Sequence, residues 1–203
     1  MYWCPTGPFT FLPIHAAGRY GKDANYASQY FISSYVPTLD PLLVDDPPES
    51  TDPFSMLAVI QSPGVQRMDH AGLSCPLPPL PSTETELHNI RKHVPPESLV
   101  ALGASGTATS VEVIESRLPK SSIVHFACHG TQNQANPLES GLHIDGGVLT
   151  IAKIIKQPLP NGSLAFLSAC GTAMGVDELP DEAMSLGACL LYSGFRRVVA
   201  TMW

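Results

Sequence analysis

Two reactive side chains follow predicted buried strands, and each has a glycine as its next residue. His129 comes directly after the apolar run 122–128, and Cys170 comes shortly after the run 164–168. A thiol attacks a carbonyl only as thiolate, and a free thiol, with a pKa of about 8.5, is mostly protonated at pH 7. A neighbouring imidazole can take that proton and later return it to a leaving amine. The pair therefore suggests a dyad for nucleophilic cleavage of an amide.

The glycines add a further group to the proposed chemistry, a set of backbone N–H donors. Glycine allows a tight turn that leaves N–H groups free to point at a ligand. The N–H groups of Gly130 and Cys170 are placed to hold the negative oxygen that forms when a carbonyl is attacked. The dyad residues are 170 − 129 = 41 positions apart, so only tertiary structure can join them. On spacing alone, a cysteine or histidine at a strand end is more often structural.

The elements that must position these residues alternate between strand and helix. Continuous apolar runs predict buried strands, whereas capping signals and apolar positions at helical spacing predict helices. The predicted strands are 56–60, 98–102, 122–128, 164–168 and 197–202, with a hairpin at 141–150 and strand-like runs at 9–13 and 29–36. The predicted helices open at the capping box Thr83-x-x-Glu86 and cover 110–118, 151–155 and 180–192, the last ended by Gly194. This order predicts an α/β fold with a mostly parallel sheet covered by helices on both faces.

Proline separates the N-terminal region from this alternating part. Ten of the 20 prolines lie between residues 37 and 81. Proline interrupts helices and cannot donate to a sheet ladder. We therefore predict proline-rich surface loops at 37–55 and 62–81, within a single domain that spans 1–203.

Composition limits the classes of partner. The chain has 203 residues, of which 14% are charged and 44% apolar, and its net charge is −7. Such a chain can bury a large core, and it lacks the Lys/Arg runs that bind nucleic acid or anionic membranes. No apolar stretch approaches the ~18 residues of a membrane span, and no basic flank marks a signal peptide. Five cysteines, an odd number, are typical of reduced thiols in a cytoplasmic protein.

The residues of the two motifs resemble those of a known family. The sequence reads VHFACHG at 124–130 and LAFLSACGTA at 164–173. These segments are similar to the paired motifs of the CHAT domain, a caspase-like family grouped with caspases, separase, gingipain and legumain in one clan of cysteine peptidases. Further segments that resemble the family lie at 2–8, 12–18, 136–141 and 197–203. The resemblance thus covers nearly the whole chain.

The resemblance implies a three-layer caspase-like fold and a cysteine-type endopeptidase. It makes Cys170 the nucleophile, His129 the acid and base, and the N–H groups of Gly130 and Cys170 the oxyanion hole. The implied substrate is a protein or peptide, with no metal or organic cofactor, no nucleic acid and no membrane involved. Family members are commonly controlled by a repeat or sensor domain, which would lie outside this chain. Related domains also continue beyond the position of Trp203, so we expect the C-terminal end to be lacking here.

The same resemblance leaves an alternative function open. Some caspase-like relatives serve only as scaffolds, so a catalytically inactive scaffold or signalling domain is the alternative. A metal-dependent hydrolase built on His125, His129 and Cys170 is a third possibility, although the chain has no further ligand at a fixed spacing. That third reading predicts bound zinc in the purified protein.

Acidic residues near the dyad have two interpretations. Glu139, Asp177 and Glu178 are candidates for a substrate pocket that favours a basic side chain. Asp181 and Glu182, beside Pro180, instead suit the positive end of a helix dipole, and we favour this interpretation for the acidic group that follows Cys170.

Other candidates are interpreted as structural. Cys128 shares a strand face with Val124 and Phe126, so it should point away from His129 and into the core. Cys189 lies among apolar helix positions and is also predicted to be a core thiol. His125 is on the face that His129 continues, and a buried neutral histidine bonded to the backbone is favoured over a partner of His129. The run 103–107 lacks the lysine of a phosphate loop and is interpreted as a turn before a helix N-cap.

Overall fold

The architecture is seen in a computed structural model that describes residues 1–39, 42–43, 53–68, 74–104, 107, 109–133, 135–170 and 185–201. Its strands are β1 (Tyr2–Trp3), β2 (Gly18–Arg19), β3 (Asn25–Tyr26), β4 (Ser34–Tyr35), β5 (Met56–Ile60), β6 (Val65–Met68), β7 (Ser74–Leu77), β8 (Leu99–Leu102), β9 (Ile123–Ala127), β10 (His129–Thr131), β11 (Gly141–Ile144), β12 (Gly147–Thr150), β13 (Leu164–Ser168) and β14 (Arg197–Ala200). Its α-helices are α1 (Ser82–His93), α2 (Val111–Arg117), α3 (Ile151–Ile154) and α4 (Leu186–Tyr192). None of the helices in these ranges is long and apolar enough to cross a bilayer.

A five-stranded parallel sheet forms the centre of the molecule. Its strand order is β14-β13-β9-β5-β8, and every neighbouring pair runs parallel. The central strands are apolar at successive positions because both of their faces must be covered. All five residues of β5 are buried. The predicted parallel sheet is confirmed.

Helices cover both faces of this sheet, which confirms the predicted α/β layering. On one face, α2, α3 and α4 pack against the side chains that alternate along β5, β9 and β13, such as Leu57, Phe126 and Leu167. On the other face, α1 inserts Leu87 against the small side chains of Ala58 and Ala127. The face under α1 therefore carries the odd-numbered positions of β9, including His125, and the even-numbered positions of β13.

A small antiparallel sheet continues from the end of β9. Its order is β10-β11-β12, and β10 begins at His129, two residues after β9 ends. The predicted hairpin is confirmed: β11 and β12 are joined by Asp145 and Gly146, where the φ of +82° suits glycine. This sheet sets the direction in which the chain leaves the central sheet after β9.

The N-terminal region differs from the sequence prediction. The run 9–13, predicted as a strand, lies mostly in a 3-10 helix from Gly7 to Phe11 with Pro8 in its first turn. The Thr10 hydroxyl donates to the Gly7 carbonyl at 2.6 Å, a local bond that competes with extended structure. Within the run 29–36, only β4 is extended, and it pairs with β1. The apolar residues of the run 9–13 wrongly suggested a strand, because proline fixes the backbone angle φ in this region.

Helix α1 forms as predicted but without the capping box. It begins at Ser82 after Pro81, which makes no side-chain cap, and the Thr83 hydroxyl donates to the Leu80 carbonyl at 2.7 Å. The Glu86 side chain is directed to the sheet instead. At the other end of the chain, the helix predicted over 180–192 is shorter than predicted: α4 begins at Leu186, after Ser185, which is extended and caps the helix by accepting from the Ala188 N–H. The glycine that follows α4 is confirmed, and residues 180–184 lie outside the described residues.

The second proline-rich segment contains a hairpin as well as loops. Strands β6 and β7 pair antiparallel, with Pro76 opposite Gln66. An isolated two-stranded ribbon tolerates a proline on its outer edge. The run 103–107 starts with a turn at Gly103, whose φ is +77°, and Ser110 caps α2 by accepting from the Val113 N–H. The turn and the N-cap are as predicted, and the positive φ explains the glycine.

Candidate active site

The register of the sheet brings both dyad residues to the same edge. Strands β9 and β13 are parallel neighbours, and their last paired residues are Ala127 and Ser168. His129 and Cys170 each come two residues after that pair. Neighbouring strands are separated by about 4.8 Å, so the two residues leave the sheet side by side at its carboxyl edge. One strand pairing thus starts the segments that carry the two residues, 41 positions apart in sequence, from adjacent points of the sheet.

The ring of His129 is held by a backbone carbonyl. Its Nε2 lies 2.8 Å from the oxygen of Pro78, directly after β7. A carbonyl can only accept, so Nε2 carries a proton and donates it to Pro78. In the neutral ring, Nδ1 is then the nitrogen with a free lone pair. Sequence reasoning missed Pro78, because a backbone carbonyl leaves no residue-type signal.

The N–H of Gly130 points away from the neighbouring strand. Gly130 lies opposite Leu142 in the β10–β11 pair. The Ile151 N–H donates to the Ser140 carbonyl at 2.8 Å, and this bond at the end of the β11–β12 ladder directs the backbone groups of Leu142 to β12. Because Leu142 faces β12, the Gly130 N–H is directed to the outer side of β10, away from β11.

Cys170 is exposed at the end of β13, above the buried Ala169. The carbonyl of Ala169 accepts a hydrogen bond from the Thr201 hydroxyl, which ties this strand end to the last described residue. Of the pocket candidates, Glu139 ends a 3-10 helix and accepts from the Asn133 side chain at 3.1 Å. The other acidic candidates, Asp177, Glu178, Asp181 and Glu182, lie outside the described residues.

The family model of the CHAT domain matches residues 1–203, the entire chain. This chain belongs to the CHAT domain family. CHAT is a caspase-like family, and the parallel sheet with helices on both faces agrees with that fold. A comparison with curated proteins finds no match. The family predicted from the two motifs is confirmed.

Two other thiols of the CHAT domain are core groups, as predicted. Cys128 packs with Phe126 under the helices, and burial raises its pKa to about 12. Burial likewise raises the pKa of Cys189 to about 11. Both thiols therefore stay protonated at neutral pH and do not compete as nucleophiles. Cys4 and Cys75 are exposed, as Cys170 is.

A second polar cluster of the CHAT domain lies below the dyad, between α1 and the sheet. His125 Nε2 is 2.9 Å from Glu86 Oε2, and the Ser168 hydroxyl donates to Glu86 Oε1 at 3.1 Å. The His125 ring also stacks on Phe166, with centroids 5.2 Å apart. The prediction that His125 bonds to the backbone is wrong, because its Nε2 contacts the carboxylate of Glu86 instead. The sequence did not reveal this pair because Glu86 also fitted the capping pattern.

The sequence-based metal hypothesis finds no support in the geometry. Across the described ranges, no three His, Cys, Asp or Glu side chains lie close enough to hold a metal ion. The Nε2 atoms of His125 and His129 are directed to Glu86 and Pro78 instead.

Acidification should weaken the CHAT domain through His125. Burial lowers the pKa of His125 below its ordinary 6.5, and the nearby Glu86 carboxylate opposes this only in part. The neutral ring is therefore the stable form, and its contribution is complete above pH 6.5 and is lost as pH falls toward the folded pKa. We expect the free energy of unfolding to drop between pH 7.5 and 5.5, by at most about 1.4 kcal/mol per pH unit for this one proton.

Urea unfolding at the two pH values measures this drop. The variant His125→Gln keeps a donor for Glu86 but cannot titrate, so its drop should be smaller than that of the wild type. His93→Gln, at the exposed end of α1, is the matched control and should retain the wild-type drop. Equal drops in His125→Gln and the wild type would show that His125 is not the group responsible.

Proposed function

We propose that this CHAT domain is a cysteine endopeptidase that cleaves peptide bonds with Cys170 as nucleophile and His129 as base. The observation that carries the proposal is the register of β9 and β13, which starts both residues from adjacent points of one sheet edge. The hydrogen bond from His129 Nε2 to Pro78 supports it further, because it leaves Nδ1 as the proton acceptor.

The reaction follows from these groups. His129 Nδ1 takes the proton of Cys170, and the thiolate sulfur forms a bond to the carbonyl carbon while the π electrons move to the oxygen. The N–H groups of Gly130 and Cys170 donate to that oxyanion. The C–N bond then breaks, and the leaving amine takes the proton from His129. Water, deprotonated by His129, hydrolyses the thioester, while the Pro78 carbonyl stabilises the imidazolium form in both halves.

The substrate of the proposed enzyme is a protein or a peptide. Glu139 stays a candidate for a pocket that takes a substrate side chain, since a carboxylate pairs with Lys or Arg. Control by a repeat or sensor domain outside this chain completes the proposal. The proposal includes a cytoplasmic location, which the odd number of cysteines supports because such a count is typical of reduced thiols.

Differential alkylation tests the dyad without a known substrate. At pH 7, iodoacetamide should modify Cys170 about tenfold faster than Cys75, because in the proposed dyad the His129 imidazole takes the proton of Cys170. His129→Ala should remove that advantage, and His93→Ala should leave it intact. Rates are read by mass spectrometry of tryptic peptides, and both cysteines are exposed, so exposure alone does not favour either.

Two outcomes would count against the enzyme. Equal rates at Cys170 and Cys75 in the wild type, or an unchanged Cys170 rate in His129→Ala, would each show that no dyad forms. Either result would favour the alternative function, an inactive scaffold with the same fold.

A further inference from the structure

The polar cluster of Glu86, His125 and Ser168 joins three elements directly below the dyad. Glu86 lies in α1, His125 in β9 and Ser168 in β13. Ser168 is the last residue of β13, two residues before Cys170, and His125 lies in β9, four residues before His129. The cluster is thus attached to both strands that carry the proposed dyad.

Glu86 uses each carboxylate oxygen for a different strand. Oε2 accepts from His125 in β9 at 2.9 Å, and Oε1 accepts from Ser168 in β13 at 3.1 Å. The His125 side chain is only 9% exposed, so its contact with the 32% exposed Glu86 is partly shielded from water. Hydrogen bonds to a carboxylate are stronger than those between neutral groups. Glu86 therefore bridges β9 and β13 through side chains as well as anchoring them to α1.

Docking of α1 does not itself require this carboxylate. Leu87, the next residue, is completely buried against Ala58 and Ala127, and Ile90 packs beside it. These apolar contacts already hold the helix on the sheet. The Glu86 carboxylate is used instead for two polar contacts to the sheet, with His125 and with Ser168.

We propose that Glu86 is a positioning residue, which fixes the relative placement of β9 and β13 and thereby the separation of His129 and Cys170. This inference rests on the proposed dyad. The physical reason is that Ser168 ends β13 and precedes Cys170 by only two residues, so a shift of β13 against β9 also displaces the sulfur of Cys170. A misplacement of about 1 Å between reacting groups can cost up to 10²-fold in rate.

The test compares two substitutions of Glu86 by the rate at which iodoacetamide modifies Cys170. Glu86→Leu removes both acceptors, and we expect the rate at pH 7 to fall on the order of tenfold, within the range for a small misplacement. Glu86→Gln keeps an oxygen for Ser168, and its amide can donate to the neutral His125 ring, so we expect it to stay within about threefold of the wild type. Recovery by this variant separates positioning from a need for charge.

Two further variants isolate the bridge. Ser168→Ala cuts only the bond to β13, and we expect a partial loss of the Cys170 rate. Glu97→Gln removes an exposed carboxylate outside the cluster and should change nothing. Cys189 lies in the same tryptic peptide as Cys170, residues 157–196, and is buried. Its continued protection in each variant shows that any loss at Cys170 is not caused by unfolding.

The outcomes distinguish this inference from the dyad on which it rests. If His129→Ala slows Cys170 but Glu86→Leu and Ser168→Ala do not, with Cys189 protected, the positioning role is wrong and the dyad stands. If His129→Ala has no effect, the dyad is wrong and the positioning role is overturned with it. If Glu86→Leu also exposes Cys189, Ser168→Ala decides, because it removes a single hydroxyl and leaves α1 in place.

Discussion

Replacement of Cys170 by alanine should abolish peptide-bond cleavage by this CHAT domain. In the proposed mechanism the sulfur at position 170 forms the covalent intermediate, so its loss removes the reaction path and should lower the rate by at least about 10⁴-fold. Cys170→Ser keeps the shape but offers a hydroxyl that an unaided imidazole deprotonates poorly, and it should be nearly as inactive. A peptide library prepared from a digested proteome serves as the substrate, and new termini are identified by mass spectrometry.

Cys75→Ala is the matched control for this experiment. It removes another exposed thiol, in β7, and should leave cleavage unchanged. Cleavage that persists in Cys170→Ala would rule out this nucleophile. If the wild type cuts none of the peptides, the result speaks for the inactive scaffold, and the alkylation rates then decide whether a dyad exists at all.

Phe126→Ala should cause a loss of stability of about 3–5 kcal/mol in the free energy of unfolding. Phe126 lies in β9, the middle strand of the sheet, and is completely buried beneath the helices that cover that face. Removing its ring leaves a cavity that the neighbouring strands on both sides cannot fill by relaxing. Urea unfolding measures the change, and iodoacetamide labelling of the neighbouring core thiol Cys128 should accelerate in parallel.

Phe9→Ala provides the same chemical change at an exposed site. Phe9 is 61% exposed in the N-terminal 3-10 helix, so its replacement should change the free energy of unfolding by no more than about 0.5 kcal/mol. Similar losses for the two variants would mean that β9 is not the centre of the core.

The central sheet could be predicted because its strands must satisfy one strong requirement. The run 56–60 is apolar at every position, and all five residues are buried, which only a strand covered on both faces achieves. The run 164–168 is buried at Ala165 and Leu167, on the face under α2, α3 and α4. The N-terminal region carries no comparable requirement, since none of its first 39 residues is buried. Local bonds and prolines therefore decide its conformation, and the predicted strand at 9–13 became a 3-10 helix.

Long-range polar contacts were the part that residue patterns could not predict. Thr83 and Glu86 have the spacing of a capping box, yet Glu86 is bonded to His125, 39 residues away. A capping pattern describes only the local competition for a side chain, and a buried donor in the sheet offers the carboxylate a stronger bond. The contact of the His129 ring with the Pro78 carbonyl could not be predicted from the sequence either, because every residue has a backbone carbonyl and no residue type marks this one.

The sequence by itself therefore determined the fold class, the family and the identity of the two candidate reactive residues, because each of these depends on side-chain type and order. The tertiary structure decided which strands are neighbours, and with it the common edge from which His129 and Cys170 emerge. The tertiary structure also decided that Nε2 of His129 carries a proton and that Glu86 joins β9 and β13. These are matters of strand register and hydrogen-bond geometry, which arise only once segments far apart in the chain have paired.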